Sequence, residues 1–325
     1  MMLCETRAAA VAASLALPLA TWAAQPGAPA YPVKPVRVIV NVSPGGGVDN
    51  VARIAAQHNH AVFGQPFVVD NRTGAGGSIG VELTAKAAPD GYTLLVCSSG
   101  VVTTAATRLQ NYDPVRDLQP VTILTSAPYL VLTTPSLPIS GVKELVALAK
   151  AKPDGVSFAS AGLGSIVHMS AELLVAMSGT KMVHVPYKGV ADAYPAVVSG
   201  EVNWMVGAPV SALPLVRAGR LKAIAVTSGK RSALLPDLPT IAESGFPGYD
   251  VRGWFGMFAP AGTPRHIVDK LYVEAKRAFQ TPEVTSRMKA EGTEIVLNSP
   301  DEFAADVKME YEKWRTLVKK LGLKL

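Results

Sequence analysis

Along most of the chain, a short apolar run is followed by a Gly- or Ser-rich turn and then by an amphipathic stretch. The first such unit predicts a strand over 36–42, a turn over 43–47 and a helix over 48–63. Apolar runs bounded by turns are typical of buried strands, whereas a 3.6-residue period is typical of helices. Because the two patterns alternate, the chain is predicted to have an α/β fold.

One long apolar stretch rich in β-branched residues, at 121–134, interrupts this alternation and contains a bend at Pro128. We interpret it as a strand that crosses into a second lobe, and residues 254–259 as the return crossing. The predicted boundaries are 30–125 and 252–325 for lobe 1 and 126–251 for lobe 2. Two lobes joined by two crossover strands, each lobe a sheet flanked by helices, imply a hinged cleft.

The other elements follow from the same two patterns. Strands are predicted over 67–70, 92–97, 156–160, 183–186, 202–206 and 223–227. Helices are predicted after the turn at 73–78, over 141–150 and 166–177, from 190 to about 200, and over 264–279 and 301–321. The last two helices are expected to pack on lobe 1.

Residues 1–24 have the pattern of a signal peptide. Arg7 precedes an apolar run over 8–20, and the small residues that follow offer a cleavage site after Ala23 or Ala24. A membrane-spanning helix needs about 20 apolar residues, whereas this run is shorter and contains Pro18. The mature chain is therefore expected to be exported and soluble, and at about 300 residues it favours two lobes.

Charge and cysteine content narrow the classes of partner. The formal net charge is +6, and removal of the signal peptide leaves it unchanged. Basic residues near the C-terminus alternate with Glu310 and Glu312 at helical spacing, which is typical of a solvated helix face rather than of a nucleic-acid surface. Cys4 lies in the signal peptide, so Cys97 stands alone and no internal disulfide is expected.

Each Gly- or Ser-rich turn falls between the carboxyl end of a predicted strand and the start of a helix. Backbone N–H groups without helical partners and the positive end of the helix dipole meet there, so such junctions bind anions without a charged side chain. In open α/β sheets these junctions line the crevice in which ligands bind. Several of them, divided between two lobes, predict a site for a small carboxylate.

The candidate ligand-binding residues lie at these junctions. Glycine lets the backbone approach a ligand closely, Pro44 stiffens the first turn, and hydroxyl groups donate hydrogen bonds to carboxylates. Asp49 would repel an anion, so a role at the helix start is expected for it instead. The candidates are Pro44, Gly45, Gly46, Gly47, Ala75, Gly76, Ser98, Ser99, Ala161, Gly164, Ser165, His168, Tyr187 and Gly207.

Ser165 and His168 leave a second interpretation open, because they are one helical turn apart and resemble a nucleophile and its base. A triad also needs an orienting acid, and a nucleophile elbow needs glycine two residues after the serine, where this chain has Val167. A structural histidine that hydrogen-bonds the loop is therefore favoured over an exported hydrolase.

No cofactor or metal is predicted. The turn at 74–79 has isoleucine in place of the third glycine of a dinucleotide fingerprint, and the Lys-Ser/Thr pair of a P-loop does not occur in the sequence. His58 and His60 are two residues apart on a predicted helix and so face different sides. We therefore expect a binding protein without a catalytic site.

The motifs resemble one known family in order along nearly the whole mature chain. The turn at 44–46, followed by Asp49 and Arg53, is similar to that of the tripartite tricarboxylate transporter substrate-binding proteins, the Bug family. The remaining matching motifs lie at 70–77, 89–92, 164–168, 184–189, 235–240 and 259–264.

This resemblance implies a periplasmic receptor with a two-lobed, type II-like periplasmic-binding-protein fold. It implies that the lobes close on a small mono-, di- or tricarboxylate, and that a monomeric receptor delivers it to the permease subunits of a membrane transporter. Ligand contacts are then expected from loop backbones. A role in sensing or as a scaffold, with a surface that contacts a partner, is a further alternative.

Gly207 departs from the resemblance, because many family members look to carry an acidic residue there. The ligand range of the family therefore does not transfer directly to this chain. The departure predicts a wider or less polar pocket at this position.

Overall fold

The computed structural model of the chain describes residues 31–107, 110–233 and 235–321, with the side chains of 320 and 321 left out. The predicted signal peptide and Cys4 lie outside these residues. Within the described ranges, no helix combines the length and the apolar character needed to cross a membrane.

The first lobe is built on a six-stranded mixed sheet. Across this sheet, the described strands lie in the order β11 (Glu294–Ile295), β4 (Leu118–Pro128), β10 (Arg252–Pro260), β3 (Thr93–Ser98), β1 (Val36–Val40) and β2 (Phe67–Asn71). The strands β1, β2 and β3 run parallel, whereas β10 is antiparallel to both β3 and β4. The parallel strands therefore end at one edge of the sheet, where the predicted turns follow them.

Helices cover this sheet. They are α1 (Gly47–Phe63), α2 (Ser78–Ala85), α3 (Gly100–Thr107), α8 (Arg265–Phe279), α9 (Pro282–Ala290) and α10 (Pro300–Leu321), with a 3₁₀ turn at Ala75–Gly77. Helix α1 packs on β1, β2, β3 and α8, and α10 packs on α3 and β4. The terminal helices thus pack on the first lobe, as the sequence predicts.

The second lobe is built on a five-stranded sheet. Its described strands lie in the order β7 (Val183–Pro186), β6 (Ser157–Ser160), β8 (Trp204–Gly207), β5 (Leu130–Thr133) and β9 (Lys222–Val226). The helices of this lobe are α4 (Val142–Ala151), α5 (Ile166–Ser178), α6 (Val190–Ser199) and α7 (Pro209–Arg217). The strands β6, β7 and β8 are parallel and end at the same edge, facing the first lobe through the loops that follow them.

Glycine and proline set the ends of several helices. Gly64, Gly179 and Gly200 follow α1, α5 and α6 in the left-handed conformation, with φ of 67°, 61° and 81°. A Cβ disfavours this conformation, so glycine at these positions ends a helix at little cost. Pro209 and Pro282 open α7 and α9, where the absent N–H group would have had no helical partner.

The two sheets are joined where β4 ends at Pro128 and β5 begins at Leu130. The stretch predicted as one bent strand is therefore two strands in two different sheets, divided at Tyr129. The return is made by β10, whose Gly253 lies so close to Tyr129 that an added Cβ would be 2.1 Å from the aromatic ring. The fold is two-lobed and α/β, in agreement with the sequence prediction.

Candidate functional site

Two adjoining pockets lie where loops of the two lobes meet, and Gly76 lines both. We call the more exposed one the outer pocket and the deeper one the inner cavity. The residues around the outer pocket are Gly74, Ala75, Gly76, Gly162, Leu163, Pro186, Tyr187, Lys188 and Asp192. Those around the inner cavity are Asn41, Val42, Gly47, Val48, Gly76, Ser98, Tyr129, Ala161, Ser165, Ile166, Val167, Val190, Ala208 and Phe255.

Four of the described helices begin at the inner cavity. The starts of two of them, α1 and α5, contain predicted candidate residues. Gly47 and Val48 begin α1, and Ser165 caps α5. Val190 begins α6, and Ala208 caps α7. The first N–H groups of a helix have no partner within it and carry the positive end of its dipole. The cavity therefore favours an anion, although its lining residues include no lysine or arginine.

Gly47 lies at the contact between α1 and the opposite lobe. An added Cβ would be 2.6 Å from Val210 Cγ1 of α7 and 2.8 Å from the Phe255 ring. At the neighbouring Gly46 an added Cβ would be 3.5 Å from Val190 Cγ2, an ordinary van der Waals distance. Gly47 is therefore the position in this turn at which packing leaves no room for a side chain, whereas Gly45, with φ of 83°, favours glycine because of its backbone conformation.

Asp49 is buried in the first turn of α1 and binds its own loop. Its carboxylate accepts hydrogen bonds from Gly45 N, Arg53 Nε and Asn71 Nδ2 at 3.0, 2.9 and 3.0 Å. Burial alone raises the pKa of Asp49, but these donors bring it below its ordinary value. The expected role at the helix start is confirmed, because the carboxylate is engaged with its own segment.

The loop at 161–165 is held by hydrogen bonds on both sides. Ser165 Oγ donates to Gly162 O at 2.7 Å and accepts from His168 N at 3.3 Å. Gly164 N donates to His168 Nδ1 at 3.1 Å, and Thr103 Oγ1 of the first lobe donates to Gly164 O at 2.8 Å. His168 is thus a structural histidine that holds the loop, as the favoured interpretation predicts.

A hydrolytic role finds no support in this geometry. Nδ1 of His168 accepts the Gly164 N–H, and Nε2 lies 3.5 Å from the Glu172 carboxylate. Both ring nitrogens are therefore directed at groups other than the Ser165 hydroxyl, which donates to a backbone carbonyl. A nucleophile needs a base within hydrogen-bond reach, and His168 does not offer one to Ser165.

A second histidine supports the same loop from beneath. The His184 ring stacks on the His168 ring with centroids 3.9 Å apart, and His184 Nε2 lies 2.6 Å from Ser160 Oγ. Ser160 Oγ in turn accepts the Gly162 N–H at 3.0 Å. Burial, together with the neighbouring His168, lowers the pKa of His184 to about 3. The imidazole is therefore neutral near neutral pH, which suits its place under the loop.

The lobes touch directly across the cleft. Ser43 Oγ, in the loop after β1, donates a hydrogen bond to the Asp192 carboxylate in the first turn of α6. An added Cβ on Gly189 would be 3.0 Å from Ser43 N, and one on Gly162 would be 3.0 Å from Gly76 Cα. These approaches show the lobes in a closed arrangement.

The structure brings together about half of the predicted candidates. The predicted residues that line a pocket are Gly47, Ala75, Gly76, Ser98, Ala161, Ser165 and Tyr187. Pro44 and Gly45 are exposed at the turn, and Gly46, Ser99, Gly164 and His168 are buried beside the pockets without lining them.

Gly207 requires a correction. It is buried at the end of β8, and an added Cβ would be 2.8 Å from both Tyr194 Oη and Leu132 Cδ1. Tyr194 packs in the apolar core of the second lobe, and its hydroxyl shares a hydrogen bond of 2.7 Å with Ser211. The expected widening of the pocket does not occur, because this tyrosine fills the space.

Several lining residues were missed by the sequence interpretation. Asn41 and Val42 lie just beyond β1, within the range predicted as strand. Tyr129 and Phe255 come from the connection between the lobes, and Val190 and Ala208 from helix starts. Strand ends and helix starts are the signals that could have found most of them, had the element boundaries been placed correctly.

The two histidines that the sequence placed on different sides of one helix each have a protein partner. His58 Nε2 lies 3.1 Å from Glu274 Oε2, and His60 Nδ1 lies 3.1 Å from Gln65 O. Among the residues that the structure describes, no three His, Cys, Asp or Glu side chains are grouped to hold a metal ion.

Comparison with known proteins identifies the family of this chain. Residues 51–323 match the model of the tripartite tricarboxylate transporter family receptor, TctC. BugT of Bordetella pertussis is 36% identical over 306 residues, which cover 93% of this chain and 94% of BugT. A protein encoded in the tcbD-tcbE intergenic region of Pseudomonas sp. (strain P51) is 38% identical over 291 residues, or 89% of this chain and 87% of the relative.

Solved structures agree with this family. The periplasmic binding protein BugD superposes with a TM-score of 0.86 at 36% identity, covering 90% of this chain and 99% of BugD. R. palustris Rpa4515 with adipate has a TM-score of 0.86 at 34% identity, covering 91% and 99% of the two chains. MatC from Rhodopseudomonas palustris with bound malate has a TM-score of 0.85 at 34% identity, covering 89% and 100%.

Proteins of this family are substrate-binding receptors rather than enzymes, so the predicted non-enzymatic role is confirmed. The matched residues include the pocket-lining loops of both lobes except the segment at 41–48, which precedes the match. The family resemblance of the motifs is thereby confirmed: this chain belongs to the tripartite tricarboxylate transporter receptor family, and BugT and BugD are among its homologues.

Proposed function

We propose that this receptor captures a small carboxylate between its lobes and delivers it to the permease of a tripartite tricarboxylate-type transporter. The observation that carries the proposal is the convergence of the α1, α5, α6 and α7 starts on one inner cavity without a lining lysine or arginine. Backbone N–H groups and helix dipoles recognise carboxylates in such settings, and they keep their geometry because the backbone is fixed.

The two adjoining pockets together leave room for a small ligand. The outer pocket has a volume of about 520 Å³, within the range of small-molecule sites, and the inner cavity beside it adds about 40 Å³. Similar proteins with adipate and with malate are dicarboxylate complexes. We therefore infer that the ligand of this chain is a mono-, di- or tricarboxylate of a few carbons, enclosed as the lobes close.

The cellular setting belongs to the same proposal. A signal peptide over 1–24 would export the chain, and BugD, which is similar over most of this chain, is a periplasmic binding protein. We infer that the mature receptor works in the periplasm as a monomer and meets its permease there. The predicted lobe boundaries at 125–126 and 251–252 are part of this proposal.

A thermal-shift screen tests carboxylate capture. The ligand-free protein is heated with a panel of organic acids and with the amide of each acid as its matched control. A ligand that binds only the folded state raises the melting temperature by mass action, so at least one acid is expected to raise it while its amide does not. A well-folded sample with no shift for any acid contradicts the proposal.

Delivery is tested separately with the acid that the screen identifies. Cells that carry the permease and this receptor are expected to take up the labelled acid, and cells that lack the receptor are not. Unchanged uptake without the receptor contradicts delivery but leaves carboxylate capture standing.

A further inference from the structure

Two polar side-chain atoms on the wall of the inner cavity have no hydrogen-bond partner among the described residues. They are Oδ1 of Asn41 and Oη of Tyr129, and both residues are only 3% exposed. A buried polar group without a partner destabilises the folded state, and such groups are rare in folded proteins. Because both atoms lie at the predicted ligand site, a bound ligand is the group that can supply the missing hydrogen-bond partner.

The orientation of Asn41 is fixed by its surroundings. Its Nδ2 donates to Gly77 O at 3.3 Å, and an added Cβ on Gly77 would be 2.4 Å from the same nitrogen. An added Cβ on Gly80 would be 3.0 Å from Cα and Cβ of Asn41, so the residue is packed against the start of α2. Because Nδ2 is used, Oδ1 is left as an acceptor, and an acceptor needs a donor from the ligand.

Tyr129 presents a hydroxyl from the connection between the two lobes. Its ring lies against Gly253, where an added Cβ would be 2.2 Å from Cζ, so the ring has little freedom to turn away. Burial raises the pKa of Tyr129, an effect that the nearby Ser99 hydroxyl opposes in part, so the phenol stays protonated. The hydroxyl can therefore both donate and accept.

The chemistry of Asn41 Oδ1 is not that of a carboxylate site, whereas the Tyr129 hydroxyl can donate to a carboxylate or accept from a substituent. A carboxylate has no proton to offer to Asn41 Oδ1, whereas a hydroxyl or an ammonium group has. We infer that Asn41 and Tyr129 are specificity-determining residues, and that they select carboxylates which also carry a hydroxyl or ammonium substituent. This inference rests on the proposed capture of a carboxylate and narrows the class of ligand.

Matched sets of acids test the inference by isothermal titration calorimetry. Each set shares one carbon chain and differs only at C2, as in succinate, malate and aspartate, or propionate, lactate and alanine. In the set whose length fits the cavity, a substituted acid is expected to bind at least about tenfold more tightly than the unsubstituted one. Sites built to hydrogen-bond a substituent reject analogues that lack it, because their buried polar groups are then left unpaired.

Two variants assign the preference to these residues. In Asn41→Leu and in Tyr129→Phe, the ratio of the two dissociation constants is expected to fall at least about fivefold, as the loss of one hydrogen bond implies. The controls are Asn59→Leu and Tyr194→Phe, which make the same changes at buried positions that do not line the cavity. Both controls are expected to keep the wild-type ratio.

The melting temperature of the ligand-free proteins separates binding from structural support. Tyr129 Oη has no hydrogen bond of standard geometry among the described residues, and the Ser99 hydroxyl is the polar group beside it, so Tyr129→Phe is expected to melt close to the wild-type temperature. A lower melting temperature with an unchanged ratio would show a structural hydroxyl and overturn its assignment.

The same titrations distinguish a failure of the proposed selectivity from a failure of the proposed carboxylate binding. If unsubstituted and substituted acids bind equally, or if both variants keep the wild-type ratio, the selection by Asn41 and Tyr129 is wrong while carboxylate capture stands. If no acid of either kind binds, the proposed function fails and this inference fails with it.

Discussion

Gly47 lies between Val210 of the second lobe and Phe255, with no room for a β-carbon on either side. Glycine at this turn was predicted to let a ligand approach the backbone. In the structure it also lets the opposite lobe approach, and Gly162 does the same against Gly76. These glycines are therefore needed for the two lobes to approach each other, apart from any contact with a ligand.

Gly47→Ala is expected to weaken carboxylate binding by at least about tenfold, because a contact of 2.6 Å with Val210 forces the lobes apart. The matched control is Gly46→Ala, whose β-carbon would make an ordinary contact at 3.5 Å. Titration calorimetry on both variants measures the difference. Equal affinities for the two variants would show that the approach of α7 to α1 is not needed for binding.

His184, which lies beside the loop at 161–165, is expected to make the stability of the protein depend on pH. Burial and His168 lower its pKa to about 3, below the ordinary value of 6.5, so between these two values the unfolded chain binds the extra proton. Stability is therefore expected to fall as the pH decreases from about 6.5 towards 3. In His184→Gln the decrease should be smaller, whereas the exposed His266→Gln should behave as wild type. Melting temperatures measured across this range test it, and superimposable wild-type and His184→Gln curves would contradict it.

For single residues, the sequence predicted the chemical role of a side chain better than it predicted which other residues surround that side chain in the fold. Ser165 at a helix start and His168 one turn later follow from local spacing, so their contacts could be anticipated. Asn41 could not, because the apolar run 36–42 hides the fact that β1 ends at Val40. Gly207 was misjudged because Tyr194, which fills the space beside it, comes from a different helix.

Among the elements, those with strong periodicity were predicted within a few residues, and those with mixed signals were missed. Helix α7 contains two prolines. Pro209 is compatible with a helix because it occupies the first turn, whereas Pro214 lies inside the helix, where proline is disfavoured. Helix α3 is short and rich in valine and threonine, which favour strands in isolation. Both helices pack against the other lobe, through α1 and α5 respectively, so tertiary contacts support what local propensity does not.

The contact between α10 and β10 contains a carboxyl group with a raised pKa. Trp254 Nε1 and Trp314 Nε1 donate to Glu310 at 2.5 and 3.3 Å, and burial raises the pKa of Glu310 to about 7 from its ordinary 4.5. The folded state therefore binds the extra proton between these values, and its stability is expected to fall as the pH rises through about 7.

Glu310→Gln, which stays neutral, is expected to raise the free energy of unfolding at pH 8 by on the order of 1–3 kcal/mol and to change it little at pH 5. Urea unfolding followed by tryptophan fluorescence measures both values, with the exposed Glu312→Gln as the control. An equal effect at the two pH values would show that the charge on Glu310 is not the cause.

For the whole molecule, the sequence indicated two lobes and a cleft because the alternation of strands and helices stops and resumes around 121–134. It did not indicate how the lobes touch, since those contacts join residues far apart in the chain. Ser43 and Asp192 illustrate this, because they are 149 residues apart and are joined by one hydrogen bond across the cleft. The closed arrangement therefore includes side-chain contacts that local sequence patterns do not reveal.

Ser43→Ala removes the donor of that bond and is expected to weaken ligand binding about three- to tenfold, the effect of one hydrogen bond. Small-angle scattering should then show a less compact receptor at the same ligand concentration. Ser199→Ala, at the opposite end of α6, is the control. Wild-type affinity in Ser43→Ala would mean that the bond to Asp192 adds nothing to closure.

The central claim is that helix starts in the inner cavity recognise a carboxylate group. It is tested most directly by calorimetric titration of the ligand-free receptor with the acid found in the screen and with the amide of that acid. The account predicts saturable one-to-one binding of the acid and at least about a hundredfold weaker binding of the amide, which lacks the negative charge. Equal binding of acid and amide, or saturable binding of neither, would contradict it.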